Sequence, residues 1–231
     1  MHAVSIALLL MFLQRPDEPQ KPVLVVTGSA QVFVAPDQAT VRLGIVRQSP
    51  SAQTAQEQAN VVAQEIVNAI AKVGVPPSQI QTMRLVLSPV YAPRTPESRD
   101  APRIVAYNAT NTVSVRVENL ATVGPVIDAA LKAGANQLEG VQFGLRNDLP
   151  SRQQALKQAV EEARSKAQTM ADALRVNLAE VVEASEGGVT ILADSEPVAG
   201  RVMALAADTP VSPGQIRVTA NVTVRYRITP K

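Results

Sequence analysis

Stretches in which apolar residues recur at every second position alternate along this chain with stretches in which they recur every third or fourth. That alternation restricts the fold more than any other feature. From Ile216 to Ile228, Val218, Ala220, Val222, Val224 and Tyr226 alternate with polar neighbours, the pattern of a strand with one buried and one solvated face. The same period runs through Ile104 to Val117, where Val113, Val115 and Val117 oppose Thr112, Ser114 and Arg116. By contrast, Ala55, Ala59, Val62, Ile66, Ala69, Ile70 and Val73 recur at helical spacing after Ser51, and Gly74 supplies a left-handed stop. One-sided strands and helices must bury their apolar faces against each other. The chain therefore reads as α+β, a largely antiparallel sheet with long amphipathic helices packed on it.

The remaining elements follow the same logic. Val23–Val34 and Thr40–Gln48 read as strands joined by Ala35-Pro36-Asp37-Gln38 into a hairpin. Ile80–Tyr91 and Ile104–Val117 form a second hairpin through the charged, proline-containing loop Ala92–Arg103. A helix from Leu120 to Ala133 buries Leu120, Val123, Ile127 and Leu131 and stops at Gly134, and Gln137–Leu145 is the next strand. Ser151 and Gln154 cap a helix reaching about Arg175, with Leu156, Val160, Ala163, Ala167, Met170 and Leu174 as the stripe that packs on the sheet. Ala179–Ser185 is a strand, and Gly187–Gly214, without sustained periodicity, reads as a mobile loop. Ala69–Gly74 (AIAKVG) and Ala129–Gly134 (AALKAG) end two helices that each lie between strands, which suggests an internal β-α-β duplication.

Composition narrows the chemistry. Apolar residues make up 46% of the chain and aromatics only 3%, so the core is assembled from Val, Ile, Leu and Ala. Cysteine is absent and the one histidine is His2, which leaves no residue for a thiolate nucleophile, a Ser–His triad or a His/Cys metal site. A net charge of +2 with scattered Lys and Arg argues against nucleic acid as a partner. No cofactor-binding motif is present: Gly187-Gly188 has no Gly-Lys-Ser/Thr sequel.

The apolar run Ala3–Leu13 is too short to span a bilayer and matches the core of an export signal. No basic residue comes between Met1 and the run, and no small-x-small cleavage site follows it. An uncleaved anchor, or an apolar tail packed on the domain, therefore stays open beside a signal peptide. Three prolines within residues 14–22 make a linker. Residues 1–22 thus read as signal or anchor plus linker, residues 23–231 as the folded domain, and membrane contact as confined to the N-terminal run.

Asp37, Asp128, Asp148, Glu161, Glu162 and Asp172 are the carboxylates to test for acid–base or metal roles. Each has a structural explanation: Asp37 sits in a turn, Asp148 precedes a helix, and Glu162 stands four residues before Lys166. No catalytic, metal or cofactor residue is assigned, and the chain reads as a non-enzyme; a hydrolase using carboxylates or Ser–Lys pairs is the remaining enzymatic reading. Asn108 and Asn111, in Tyr107-Asn108-Ala109-Thr110-Asn111, are unusual in a strand. They either satisfy backbone at a bulge or strand end or line a subunit surface.

These fragments carry a resemblance. Thr27-Gly28-Ser29-Ala30, Pro36-Asp37-Gln38-Ala39, Ile80-Gln81-Thr82, Leu87-Ser88-Pro89-Val90-Tyr91, Tyr107–Asn111, Ile127-Asp128-Ala129-Ala130, Ala163-Arg164-Ser165-Lys166-Ala167 and Pro213-Gly214-Gln215 resemble, in order and spacing, the SIMPL-domain family, otherwise domain of unknown function 541. The resemblance runs from Val23 to Ile228. It implies an α+β fold, export to the periplasm or outer envelope, homo-oligomers that in some members are large rings, and a link to oxidative-stress tolerance. It implies no catalytic residues. The expected function is that of a self-assembling envelope protein, the alternative being a periplasmic ligand- or partner-binding module with residues 187–214 as its lid.

Overall fold

The computed structural model describes residues 21–93, 101–194 and 209–231. The N-terminal apolar run and His2 lie outside the described residues. Along the described chain come β1 (Val23–Val34), β2 (Gln38–Ser49), α1 (Ala52–Lys72), β3 (Ile80–Tyr91), β4 (Ile104–Val117), α2 (Val123–Lys132), β5 (Gln137–Gly144), α3 (Leu149–Leu174), β6 (Val176–Asp194) and β7 (Gln215–Pro230). The class is α+β, as the two periodicities require. The strands form two sheets, ordered β1-β7-β6 and β3-β4-β2-β5.

In the four-stranded sheet, β2 pairs antiparallel with β4 and with β5, and β4 pairs antiparallel with β3. Each helix carries the chain from one central strand to the edge beside the other, so β2-α1-β3 and β4-α2-β5 occupy equivalent places in a split β-α-β arrangement. The two similar helix endings fall at equivalent points. Gly74 and Gly134 adopt φ of +100° and +102°, and their N–H groups donate to Ala71 and Leu131 carbonyls at 3.0 Å, the left-handed stop that glycine makes without a Cβ clash. The core beneath these helices is aliphatic: Val41, Leu43 and Ile45 of β2 and Val113, Val115 and Val117 of β4 meet Ile66 and Ile70 of α1 and Val126 and Ile127 of α2. Leu131, expected on the buried side of α2, is 45% exposed, while Ala130 is fully buried.

Three further expectations are corrected. β1 and β2 are not a hairpin, because β1 belongs to the sheet with β7 and β2 to the sheet with β4; the turn at Pro36 passes the chain from one sheet to the other. The strand expected at Ala179–Ser185 extends from Val176 to Asp194, so Gly187 to Asp194 is strand rather than loop, and residues 195–208 lie outside the described residues. On α3 the expected stripe of large side chains is not the buried face. Val160, Met170 and Leu174 are exposed, and the buried row is Ala155, Ala159, Ala163, Ala167 and Ala171, each 0% exposed.

Contacts divide the chain into two units, residues 1–29, 159–187 and 221–231, and residues 30–158 and 188–220. In the first, α3 lies against β1 with almost no space between their backbones. A Cβ added to Gly28 would stand 2.0 Å from the Ala159 carbonyl oxygen and 2.8 Å from the Ala163 Cβ. Only alanine on the helix and glycine on the strand allow that approach. α3 ends where Arg175 takes φ of +55°, and its N–H donates to the Asp172 carbonyl. The second unit holds the four-stranded sheet with α1 and α2.

Candidate functional site

The six carboxylates do not converge. Asp37 accepts from the Arg146 N–H at 2.7 Å and pairs with its guanidinium at 3.5 Å, tying the turn before β2 to the chain after β5. Asp128 accepts from the Thr209 hydroxyl at 2.7 Å and the Thr209 N–H at 3.3 Å, fixing residue 209 to α2. Asp148 pairs with Arg152 one turn on at 2.8 Å, and that hydrogen bond holds its carboxyl below the usual aspartate value. Glu161 is exposed, and Asp172 meets Gln168 at 3.2 Å and Lys231 at 3.5 Å. Among the described residues, no three His, Cys, Asp or Glu side chains come close enough together to hold a metal ion.

Asn111 departs from the reading that it satisfies irregular backbone. It lies inside β4, opposite Ile45 of β2 and Leu85 of β3, is 92% buried by its 8% exposure, and its Oδ1 has no hydrogen-bond partner. The helix-free face of the same sheet carries a polar cluster that no short-range pattern announces. Arg84 of β3 and Glu139 of β5 form an ion pair, and the Thr112 hydroxyl of β4 donates to the same carboxylate at 3.2 Å. The register shift between β2 and β5 at Arg42/Leu43 inserts Glu139 as an extra residue and so lets it reach.

What the chain presents outward is two contrasting strand edges. β3 is an edge of the four-stranded sheet. Met83, Leu85, Val86, Leu87 and Tyr91 along it are 41–59% exposed, and Ile104 and Val105 of β4 add to the patch. From Leu85 to Tyr91 the strand has no charged residue. β1 is an edge of the three-stranded sheet. Its Pro22 carbonyl accepts from the Ile228 N–H of β7, so even-numbered residues direct their backbone groups to β7 and odd-numbered ones outward. Two of those outward groups are taken: the Ser29 N–H donates to the Glu162 carboxylate, and the Thr27 carbonyl accepts from the Lys166 ammonium at 3.2 Å. Glu162 and Lys166 pair with each other at 2.9 Å.

The sequence model described as "SIMPL: Protein of unknown function (DUF541)" matches residues 24–226. The chain belongs to the SIMPL family. It is 35% identical over 166 residues to the 26 kDa periplasmic immunogenic protein of Brucella melitensis, covering 71% of this chain and 66% of that one. It is 31% identical over 177 residues to the uncharacterized protein YggE of Escherichia coli K12, covering 74% and 68%, and 26% identical over 168 residues to YggE of Edwardsiella ictaluri, covering 73% and 69%. The chain thus spans just under two thirds of the length of the Brucella relative. The fragments that carry the SIMPL resemblance fall on the two edges: Leu87 to Tyr91 lies along β3, and Thr27-Gly28-Ser29 of β1 meets α3 at Glu162, Ala163 and Lys166.

Proposed function

We propose that this SIMPL protein works in the periplasm as a self-assembling, non-enzymatic component of the bacterial envelope, with a second copy of the chain as its partner. The periplasmic placement is supported by the name of the Brucella relative and by the Ala3–Leu13 run, read as an export signal or anchor. Among the described residues no helix is long and apolar enough to cross a membrane.

The β3 edge carries the assembly reading. A strand of 12 residues with an open row of N–H and C=O groups calls for another strand, and large apolar side chains on both of its faces call for burial. Proteins that keep such an edge single-stranded place charge or extra proline along it. Here Pro89 alone interrupts the run from Leu85 to Tyr91. An identical edge supplies the same hydrogen-bonding row and the same uncharged apolar faces, and antiparallel pairing of two copies makes a closed twofold contact. Burying Leu85 and Leu87, now 59% and 45% exposed, contributes on the order of 1 kcal/mol each per copy.

Light scattering after size exclusion tests it. The purified protein should elute as an oligomer, and Leu85→Lys with Leu87→Lys should convert it to monomer with an unchanged circular dichroism spectrum. A wild-type protein that stays monomeric at every concentration would overturn the proposal. A monomer that retains an envelope component from its own host would instead favour the binding-module reading.

A further inference from the structure

The first unit contains a device that the family match does not explain. Two of the outward-facing groups of β1 lie on alternate residues, an N–H at Ser29 and a C=O at Thr27. A neighbouring strand would offer them an acceptor and a donor. Side chains of α3 offer the same pair: the Glu162 carboxylate accepts from Ser29 and the Lys166 ammonium donates to Thr27 at 3.2 Å. Their one-turn spacing on the helix lets the two also pair with each other at 2.9 Å, which closes a ring of hydrogen bonds against the strand. We infer that Glu162 and Lys166 guard the outer edge of β1, imitating a neighbouring strand at Thr27–Ser29 so that the corresponding edge of a second chain cannot pair there.

Two features make the clasp reach. Gly28 lets the α3 backbone approach until a Cβ would overlap the Ala159 carbonyl, and from that distance a glutamate spans to the strand edge. The all-alanine row facing β1 keeps the helix axis close along its length. Both charged side chains remain partly exposed, Lys166 by 49% and Glu162 by 39%, so the helix packs without them and their use lies at the edge. The guard ends at Thr27. The next outward residue, Val25, is 48% exposed and borders a shallow groove of about 400 Å³ with Ser165, Thr169 and Met170 on its helical side. An incoming strand therefore finds one free residue and then a blocked pair, too short a run for a stable ladder. This reading does not depend on assembly through β3.

The test is Glu162→Ala with Lys166→Ala in the full chain, compared with wild type and with Gln53→Ala plus Glu57→Ala, which removes an exposed four-residue-spaced pair from α1. In dilute solution the Ser29 amide of the clasp variant should exchange with deuterium about tenfold faster, the loss of one charge-assisted hydrogen bond. At high concentration, sedimentation should show species heavier than any in the wild type or the control, and Ser29 should regain protection. Adding Ser29→Pro, which removes the outward N–H and is tolerated at a sheet edge, should return the mass distribution to that of the wild type. Unchanged Ser29 exchange would overturn the inference. So would faster exchange with no added association at any concentration.

Discussion

The edges of β1 and β3 face the same physical problem and meet it in opposite ways. Each is the outermost strand of its sheet and leaves a row of backbone groups without a strand partner. On β1, α3 supplies a carboxylate and an ammonium that occupy two of those groups. On β3, no charged side chain interrupts Leu85 to Tyr91, and the side chains of both faces stand in solvent. An edge dressed with charge is protected from pairing, and an edge dressed with leucine, valine and tyrosine is suited to it. One fold thus carries a closed edge and an open one, which directs association to a single place.

The strongest way to break the contrast is at Gly28. Gly28→Ala places a Cβ 2.0 Å from a backbone oxygen, a clash that no side-chain rotation relieves, so α3 must move away from β1. The expected cost is about 3 kcal/mol, read as a lowered denaturation midpoint, together with loss of Ser29 amide protection because Glu162 no longer reaches. A variant of wild-type stability would mean that the helix does not sit as close as described.

Next in size is the reverse manipulation, charging the open edge. Leu85→Lys alone should weaken self-association by about tenfold, and Leu85→Lys with Leu87→Lys by about a hundredfold, since each removes apolar burial of about 1 to 2 kcal/mol and adds like charge across the contact. Sedimentation equilibrium measures this directly. Both positions are half-exposed, so thermal stability should change by only a few degrees. An unchanged association constant would place the contact elsewhere.

The contrast also shows what the sequence reveals and what it hides. Local signals were legible. Ser51 caps α1, accepting from the Thr54 N–H at 3.4 Å, and Gly74 and Gly134 stop their helices. The alternation in β4 and β7 marks their buried faces correctly. What depended on distant partners was not legible. The Ala-Pro-Asp-Gln turn bends the chain but does not say which strand β1 will pair with, and it pairs with β7 from the other end of the chain. The stripe on α3 was misread because large side chains outweigh alanine in any periodicity, whereas here the contact is decided by how closely two backbones can approach. The strict four-residue row from Ala155 to Ala171 was in view, but its meaning required Gly28, which is remote in sequence. Asp37, Asp148 and Glu162 were correctly read as a turn residue, a residue before a helix and a one-turn partner of Lys166. The second role of Glu162, toward Ser29, had no local signature.

A smaller effect is expected beside β3. Asn111 lies opposite Leu85 with its Oδ1 buried and without a partner. Replacing it by the similarly sized leucine removes an unsatisfied acceptor and adds apolar contact to Ala109 and Val113 on the same face. Asn111→Leu should stabilise the protein by about 1 kcal/mol, a rise of a few degrees in melting temperature. A fall would show that the amide finds a partner in the assembled state, making the open edge more polar in its contacts than its side chains indicate.

The smallest effect belongs to the clasp and is a matter of pH. The Lys166 ammonium, and after it the Ser29 N–H, hold the Glu162 carboxyl below the ordinary glutamate value. Lys166 is the charged group in contact with it, and β1 presents only Thr27 and Ser29, neither of which ionises. On acidification the unfolded chain takes up its proton first, so the stabilisation from Glu162 is complete above the ordinary glutamate range. It is lost as pH falls through the lower folded value. The clasp should therefore outlast the protonation of unpaired glutamates and open only below it. Followed by NMR, the Glu162 carboxyl and the Ser29 amide should titrate together at that lower pH, and raised salt should move the shared midpoint upward by screening the Lys166 contact. A Ser29 amide that does not follow Glu162 would mean that the carboxylate does not occupy the edge, and the distinction between the two strands would then rest on side-chain composition alone.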